Sequence, residues 1–293
     1  MSETVEWIDA DGVTLTLSGP GVTTYQVDWG VSGRYMPKIE VQVDSIPGRA
    51  GGVLRGARHG VHEFVLPLSL AASTESSLRT LLRSLVDCMD PTRGQGRIRV
   101  TSPLGDQREI TCAYAAGLEM EEKLGDSSGP GFQACPLAMV AYDPYWYDVS
   151  PVSSPVWTVT DAPTFFPILP IRLTASELVV DEVISNSGSV EAWPVWTIRG
   201  PGADILLTNQ TTGQYLQFKS SFSLGDGQFV TIDTRPGVKA VTLDDGTNLY
   251  DQLEAASSLW PLRRGDNAVR LEMSAVTAVS SLQVSYWRRY LAP

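Results

Sequence analysis

Apolar and polar residues alternate with a period of two over much of this chain. Val13, Leu15 and Leu17 alternate with Thr14 and Thr16, and Ile39, Val41 and Val43 with Glu40 and Gln42. Phe64, Leu66, Leu68 and Leu70 share one face, as do Ile110, Cys112 and Tyr114. Side chains of a strand point alternately to its two sides, so this rhythm predicts sheets with one face buried and one wet. Turns containing glycine or proline separate the segments, the punctuation of antiparallel sheets.

One stretch keeps a different period. Leu78, Leu81, Leu82, Leu85, Val86 and Met89 recur at helical spacing and predict an amphipathic helix over about 75–89. Ser73 or Thr74 is placed to cap its start, and Glu75 sits where the helix dipole favours negative charge. Asp90-Pro91 ends it, because proline disfavours helix at the residue before it. The stripe is expected to pack on a sheet.

Residues 150–155, Ser-Pro-Val-Ser-Ser-Pro, read as a linker. Beyond it the pattern is again one of strands: 190–198, 204–208, 215–218, 229–233, 240–243, 268–273 and 282–290, with Thr212-Gly213, Asp226-Gly227 and Asp245-Gly246 as turns. That cadence suits a β-sandwich of about eight strands. The expected fold is therefore mainly β. An antiparallel β domain with one helix covers 1–149, and a sandwich of jelly-roll or galectin-like type covers 156–293.

Composition narrows the function. The chain has 293 residues, 43% apolar and 19% charged, as a globular protein does. Its net charge of −11 repels phosphate and argues against sequence-specific nucleic acid as a partner. No apolar run approaches the ~20 residues of a membrane helix, and the richest patch, Phe165–Ile171, is broken by prolines. Membrane insertion is not expected, and the start shows no basic and apolar signal segment. Cys88, Cys112 and Cys135 are far apart, odd in number and without a CxxC pair, so they read as buried thiols.

Candidate chemistry is sparse. His59 and His62 are the only histidines, and three residues apart on a strand they face opposite ways, which disfavours a shared metal. No serine lies in a G-x-S-x-G elbow. Glu121-Glu122 and Asp244-Asp245 are neighbours, whereas a glycosidase needs carboxylates facing each other across a cleft. The glycines of Ile46–Gly52 lack the Lys-Ser/Thr of a phosphate loop. No catalytic, cofactor or metal site is expected, and a wall-degrading hydrolase is disfavoured. Trp157, Trp193, Trp196, Trp260 and Trp287 keep open an alternative reading, a carbohydrate-binding adhesin whose second domain grips a host-wall glycan.

Four segments in order carry a family likeness. Val43–Gly52 is similar to a Pro-Gly-Arg-x-Gly turn after an early strand, followed by the Phe64–Leu70 strand and the leucine-striped helix. Tyr142-Asp143-Pro144-Tyr145-Trp146 resembles an aromatic Asp-Pro-aromatic close of a first domain. Ile184–Trp196 resembles an Asn-x-Gly-x-x-x-(Ala/Thr)-x-Pro strand pair of tail sandwiches. Trp260–Asn267 resembles a Pro-Gly-x-Asn turn, with Arg264 in the proline position. In this order they resemble the distal tail proteins of siphophages, particularly those infecting actinobacteria. The resemblance implies a structural virion protein rather than an enzyme, assembled in the host cytoplasm into the tail tip. Six copies of the first domain are expected to form a ring that joins the tail tube to the hub, whose protein often carries a lysin. The second domain is expected to project toward receptor-binding proteins, other baseplate parts or a host glycan. Pro47, Gly48, Arg49 and Gly51 are the candidate interface turn.

Overall fold

The computed structural model describes residues 3–48, 50–120, 125, 127–158 and 177–293. Arg49, the Glu121-Glu122 pair and the Phe165–Ile171 patch lie outside the described residues. The chain divides into two compact units, one of 1–149 with 290–293, the other of 150–289.

The first unit holds β1 (Thr4–Ile8), β2 (Thr14–Ser18), β3 (Tyr25–Val27), β4 (Ile39–Ser45), β5 (Gly52–His59), β6 (His62–Ala71), the helix α1 (Glu75–Cys88), β7 (Gly96–Thr101), β8 (Gln107–Ala116), β9 (Ser128–Gly129), β10 (Phe132–Ala141) and β11 (Trp146–Asp148). Its main sheet runs β2-β1-β7-β8-β10-β6-β3, with β9 on β10 and β11 on β8. The pairings resolved in it are antiparallel. The alternation of β6 works as expected: Phe64, Leu66, Leu68 and Leu70 are all buried, in one core with Trp7, Ile98, Leu137 and Trp146. Ile110 and Cys112 join them, with Tyr114 at the margin.

Helix α1 begins at Thr74, whose side chain accepts from the Ser77 N–H at 3.2 Å. Leu78 and Leu85 are buried in the core and Leu81 and Leu82 pack at its edge. Tyr25 Oη donates to the Leu81 carbonyl at 3.1 Å and Trp7 Nε1 to the Cys88 carbonyl at 2.8 Å, binding the helix to β3 and β1. Val86, expected in the stripe, is half exposed instead, because the helix meets the sheet along a narrower seam than its apolar arc.

The second unit has β12 (Val152–Ser153), β13 (Trp157–Thr158), β14 (Glu177–Asn186), β15 (Val195–Arg199), β16 (Gly202–Asn209), β17 (Gln214–Gln217), β18 (Ser223–Leu224), β19 (Phe229–Asp233), β20 (Ala240–Leu243), β21 (Gly265–Ser274) and β22 (Ser281–Tyr286). They form a six-stranded and a five-stranded sheet around one core. The first runs β12-β22-β15-β19-β20, the second β14-β21-β16-β17. Trp196 and Trp260 meet edge to face in that core, ring centroids 5.2 Å apart. β12 lies within the stretch read as a linker, where Val152 pairs with Tyr286. The alternating inner and outer residues of β15, β19 and β21 are what a sandwich requires.

Candidate assembly surfaces

The pattern at Ile39, Val41 and Val43 predicts a half-buried strand, and there the structure departs from expectation. Among the described residues β4 pairs only with β5, as a two-stranded sheet separate from the others. Every described residue of β4 is exposed, as are those of β5 up to Arg58. Register places Val41 opposite Ala57 and Val43 opposite Leu54, so one face of the hairpin is an apolar strip. Val41, Val43 and Leu54 are 54%, 55% and 65% exposed. The other face is polar: Arg58 pairs with Glu40 at 2.7 Å and Arg55 with Asp44 at 2.6 Å. A groove of about 520 Å³ on the hairpin is lined by residues of both faces, Glu40, Val41, Gln42, Gly56, Ala57 and Arg58.

The candidate turn is the tip of this hairpin. Pro47, Gly48 and Gly51 are all exposed, and Gly48 and Gly51 have φ of +80° and +83°. Residues with a Cβ avoid that region, which is why a glycine-rich turn closes the tip. Arg49 lies outside the described residues.

The root of the hairpin is rigid, and the Tyr142–Trp146 motif is what holds it. His59 Nδ1 lies 2.9 Å from Tyr145 Oη. His62 is fully buried, with Nδ1 2.9 Å from the Pro144 carbonyl oxygen and Nε2 2.7 Å from that of Gly33. Both partners accept, so either ring N–H finds a hydrogen bond. Trp146, fully buried, donates from Nε1 to the Arg34 carbonyl at 3.3 Å, and the Arg34 guanidinium pairs with Glu3. His62 thus sits between two backbone carbonyls, and His59 meets the Tyr145 side chain. Among the described residues no group of three His, Cys, Asp or Glu side chains could hold a metal. Trp29, on the chain leading into the hairpin, is wholly exposed, with Tyr35 and Met36 largely so.

In the second unit the remaining motifs are structural staples. Asn186 donates to the carbonyls of Val190 (2.9 Å) and Leu262 (3.2 Å) and accepts from the Gly188 N–H at 3.0 Å. A Cβ on Gly188 would meet the Arg289 carbonyl oxygen at 2.8 Å, so only glycine fits. Asn267 accepts from the Arg263 N–H at 2.9 Å and donates to the carbonyls of Arg263 and Gly265. Asp245 caps its own turn by accepting from Thr247, which holds its carboxyl below the usual range. Trp196 and Trp260 are buried. The Trp287 ring carries the Arg235 guanidinium at 5.3 Å and Trp193 the Lys239 ammonium at 5.9 Å. Burial pushes the thiols of Cys112, Cys88 and Cys135 up to about 12, about 11 and about 11, so they stay protonated at neutral pH.

Residues 187–290 match the family described as siphovirus-type tail component, C-terminal domain. Among solved structures the chain is similar to SPP1 Dit (gp 19.1), described as a paradigm of the hub adsorption apparatus in phages infecting Gram-positive bacteria. The identity is 15% over 99% of both chains, with a TM-score of 0.68. It is also similar to a chain of the phage P2 baseplate in its activated conformation with Ca, at 10% identity over 100% of both chains and a TM-score of 0.52. At such identities these likenesses establish the fold. No curated protein matches the chain.

Proposed function

We propose, on the premise that residues 187–290 are a siphovirus-type tail component domain, that the chain is a distal tail protein of a long-tailed phage. Six copies form a ring that joins the tail tube to the baseplate hub, with the second unit available to receptor-binding proteins. The observation that carries the reading is the full-length likeness of fold to SPP1 Dit, spanning both units, together with the family match in the second. The structural features agree in kind. The main sheet of the first unit ends on two short strands, β2 and β3, and the hairpin offers a further apolar face. Such surfaces gain by joining another chain. An acidic chain also suits a conduit through which DNA passes without sticking.

Negative-stain images and light scattering of the purified protein test the ring. Six-fold particles with outward lobes support it, and a strict monomer at every concentration refutes it.

A further inference from the structure

The six-stranded sheet of the second unit turns one face into the core and the other outward. Its register runs straight across four strands: Gln283, Thr197, Thr231 and Thr242 stand opposite one another on β22, β15, β19 and β20. Residues directly opposite share a face. Their strand neighbours Trp196 and Ile232 are buried, so this row belongs to the outer side. Hydroxyls and an amide thus occupy the middle of the face, where an interface between two proteins would carry its apolar core.

Aromatic rings and cations bound that row. Trp193, just before β15, and Trp287, just after β22, are both partly exposed. The Arg235 guanidinium lies 5.3 Å from the centre of the Trp287 ring, and the Lys239 ammonium 5.9 Å from that of Trp193. β15 separates β19 from β22, and β19 separates β20 from β15. Each cation therefore reaches over an intervening strand, and the two rings and two cations interleave in one cluster. Asp233 holds Arg235 in place, its carboxylate accepting from Nε at 3.0 Å and Nη2 at 2.6 Å. Lys239 is exposed and makes no ion pair among the described residues. At the other end of the face the Arg199 guanidinium lies 5.3 Å from the centre of the Phe229 ring. Six residues of extended chain, roughly 20 Å, separate Trp193 from Arg199.

This combination has a chemical match. Exposed tryptophan rings pack on the C–H faces of sugars, and hydroxyls and amides serve sugar hydroxyls. Cations beside the rings favour a ligand that is itself negative, on a chain whose net charge of −11 offers such a ligand little attraction elsewhere. The length of the face suits a polymer over a single sugar. We propose that the outer face of the β22-β15-β19-β20 sheet binds an acidic polysaccharide. Trp193 and Trp287 stack on its sugars, and Lys239 with Arg235 meets its negative groups. The proposal is independent of the ring reading above.

The test uses the full chain and three polymers: hyaluronan, charged through carboxylates; a glucosylated poly(glycerol phosphate), charged through phosphodiesters; and neutral dextran. Tryptophan fluorescence and retardation in polymer-containing native gels are read for the natural protein and for Trp287→Ala, Trp193→Ala and Lys239→Glu. Thermal melts check folding, and Lys239→Glu, at an exposed position, leaves the fold intact. The expected result is saturable, salt-sensitive binding of at least one acidic polymer and none of dextran. Lys239→Glu and Trp287→Ala are each expected to weaken it roughly tenfold or more. The preferred acidic polymer identifies carboxylate or phosphodiester as the charge recognised. No binding of any polymer, or binding that all three variants retain, overturns the site. So does equal binding of poly-glutamate that Trp287→Ala leaves unchanged, which would assign the face to an acidic protein. Light scattering of the same samples reads the ring separately, so either reading can fail alone.

Discussion

The guanidinium carbon of Arg108 lies 3.8 Å from the centre of the Tyr290 ring, and the same side chain donates to the Ala292 carbonyl at 2.7 Å. Residues separated by nearly two thirds of the chain thus meet on the first unit, where Tyr290 packs against the core. Replacing Arg108 with alanine removes a cation–ring contact and a charged hydrogen bond. A loss of about 1–2 kcal/mol is expected by denaturant titration, together with faster hydrogen exchange around 290–293. Wild-type exchange rates there would show that the contact does not secure this segment.

The root of the hairpin depends on His62. Its replacement by alanine leaves a cavity and removes the imidazole that sits between the Gly33 and Pro144 carbonyls and donates to one or the other. Destabilisation of roughly 2–4 kcal/mol is expected, and limited proteolysis is expected to cut at 36–60 before anywhere else. An unchanged melt with an intact hairpin would mean that Trp146 and Arg34 suffice.

Asn186 should be nearly as sensitive. Alanine there takes the side-chain donor from the Val190 carbonyl and the acceptor from the Gly188 N–H, while the Leu262 carbonyl keeps the Ala192 N–H. A cost of about 2–3 kcal/mol is expected, measured on the unfolding of the full chain by tryptophan fluorescence. Because the loss is in the second unit, hydrogen exchange should quicken around 184–192 and 260–267 and leave α1 unaffected.

Alkaline pH tests the buried thiols. A thiol ionises near ~8.5 in an unfolded chain, whereas burial raises Cys112 to about 12 and Cys88 and Cys135 to about 11. The folded state therefore holds these protons more tightly. That stabilisation is complete below the unfolded value and is lost as pH climbs toward 11 and 12. The melting temperature should fall steadily above about pH 9, and Cys112→Ala should flatten part of the fall. A melt indifferent to pH over that window would contradict the burial of the thiols.

Much of this was legible beforehand, and for local reasons. Thr74, Glu75 and Asp90-Pro91 bracket α1 because capping and proline chemistry act within a turn or two of the chain. The strands Phe229–Asp233 and Ala240–Leu243 appear at their expected bounds because each buries one face in the same sandwich. What misled was Ile39, Val41 and Val43. Period two announces a strand with an apolar side but not whether its own fold supplies the cover. Nor does any short-range signal reveal that Tyr142–Trp146 props up a hairpin more than eighty residues earlier, or that Tyr290 comes back to Arg108. Such partners are distant along the chain, and no propensity encodes them. The glycine turn at Pro47–Gly51 was found because a positive φ narrows the choice of residue.

The first unit takes its final four residues from beyond the second. A ribosome must therefore spool out the entire sandwich before Tyr290 exists to settle onto Arg108. Nascent chains stalled earlier would present a first unit whose latch is still missing.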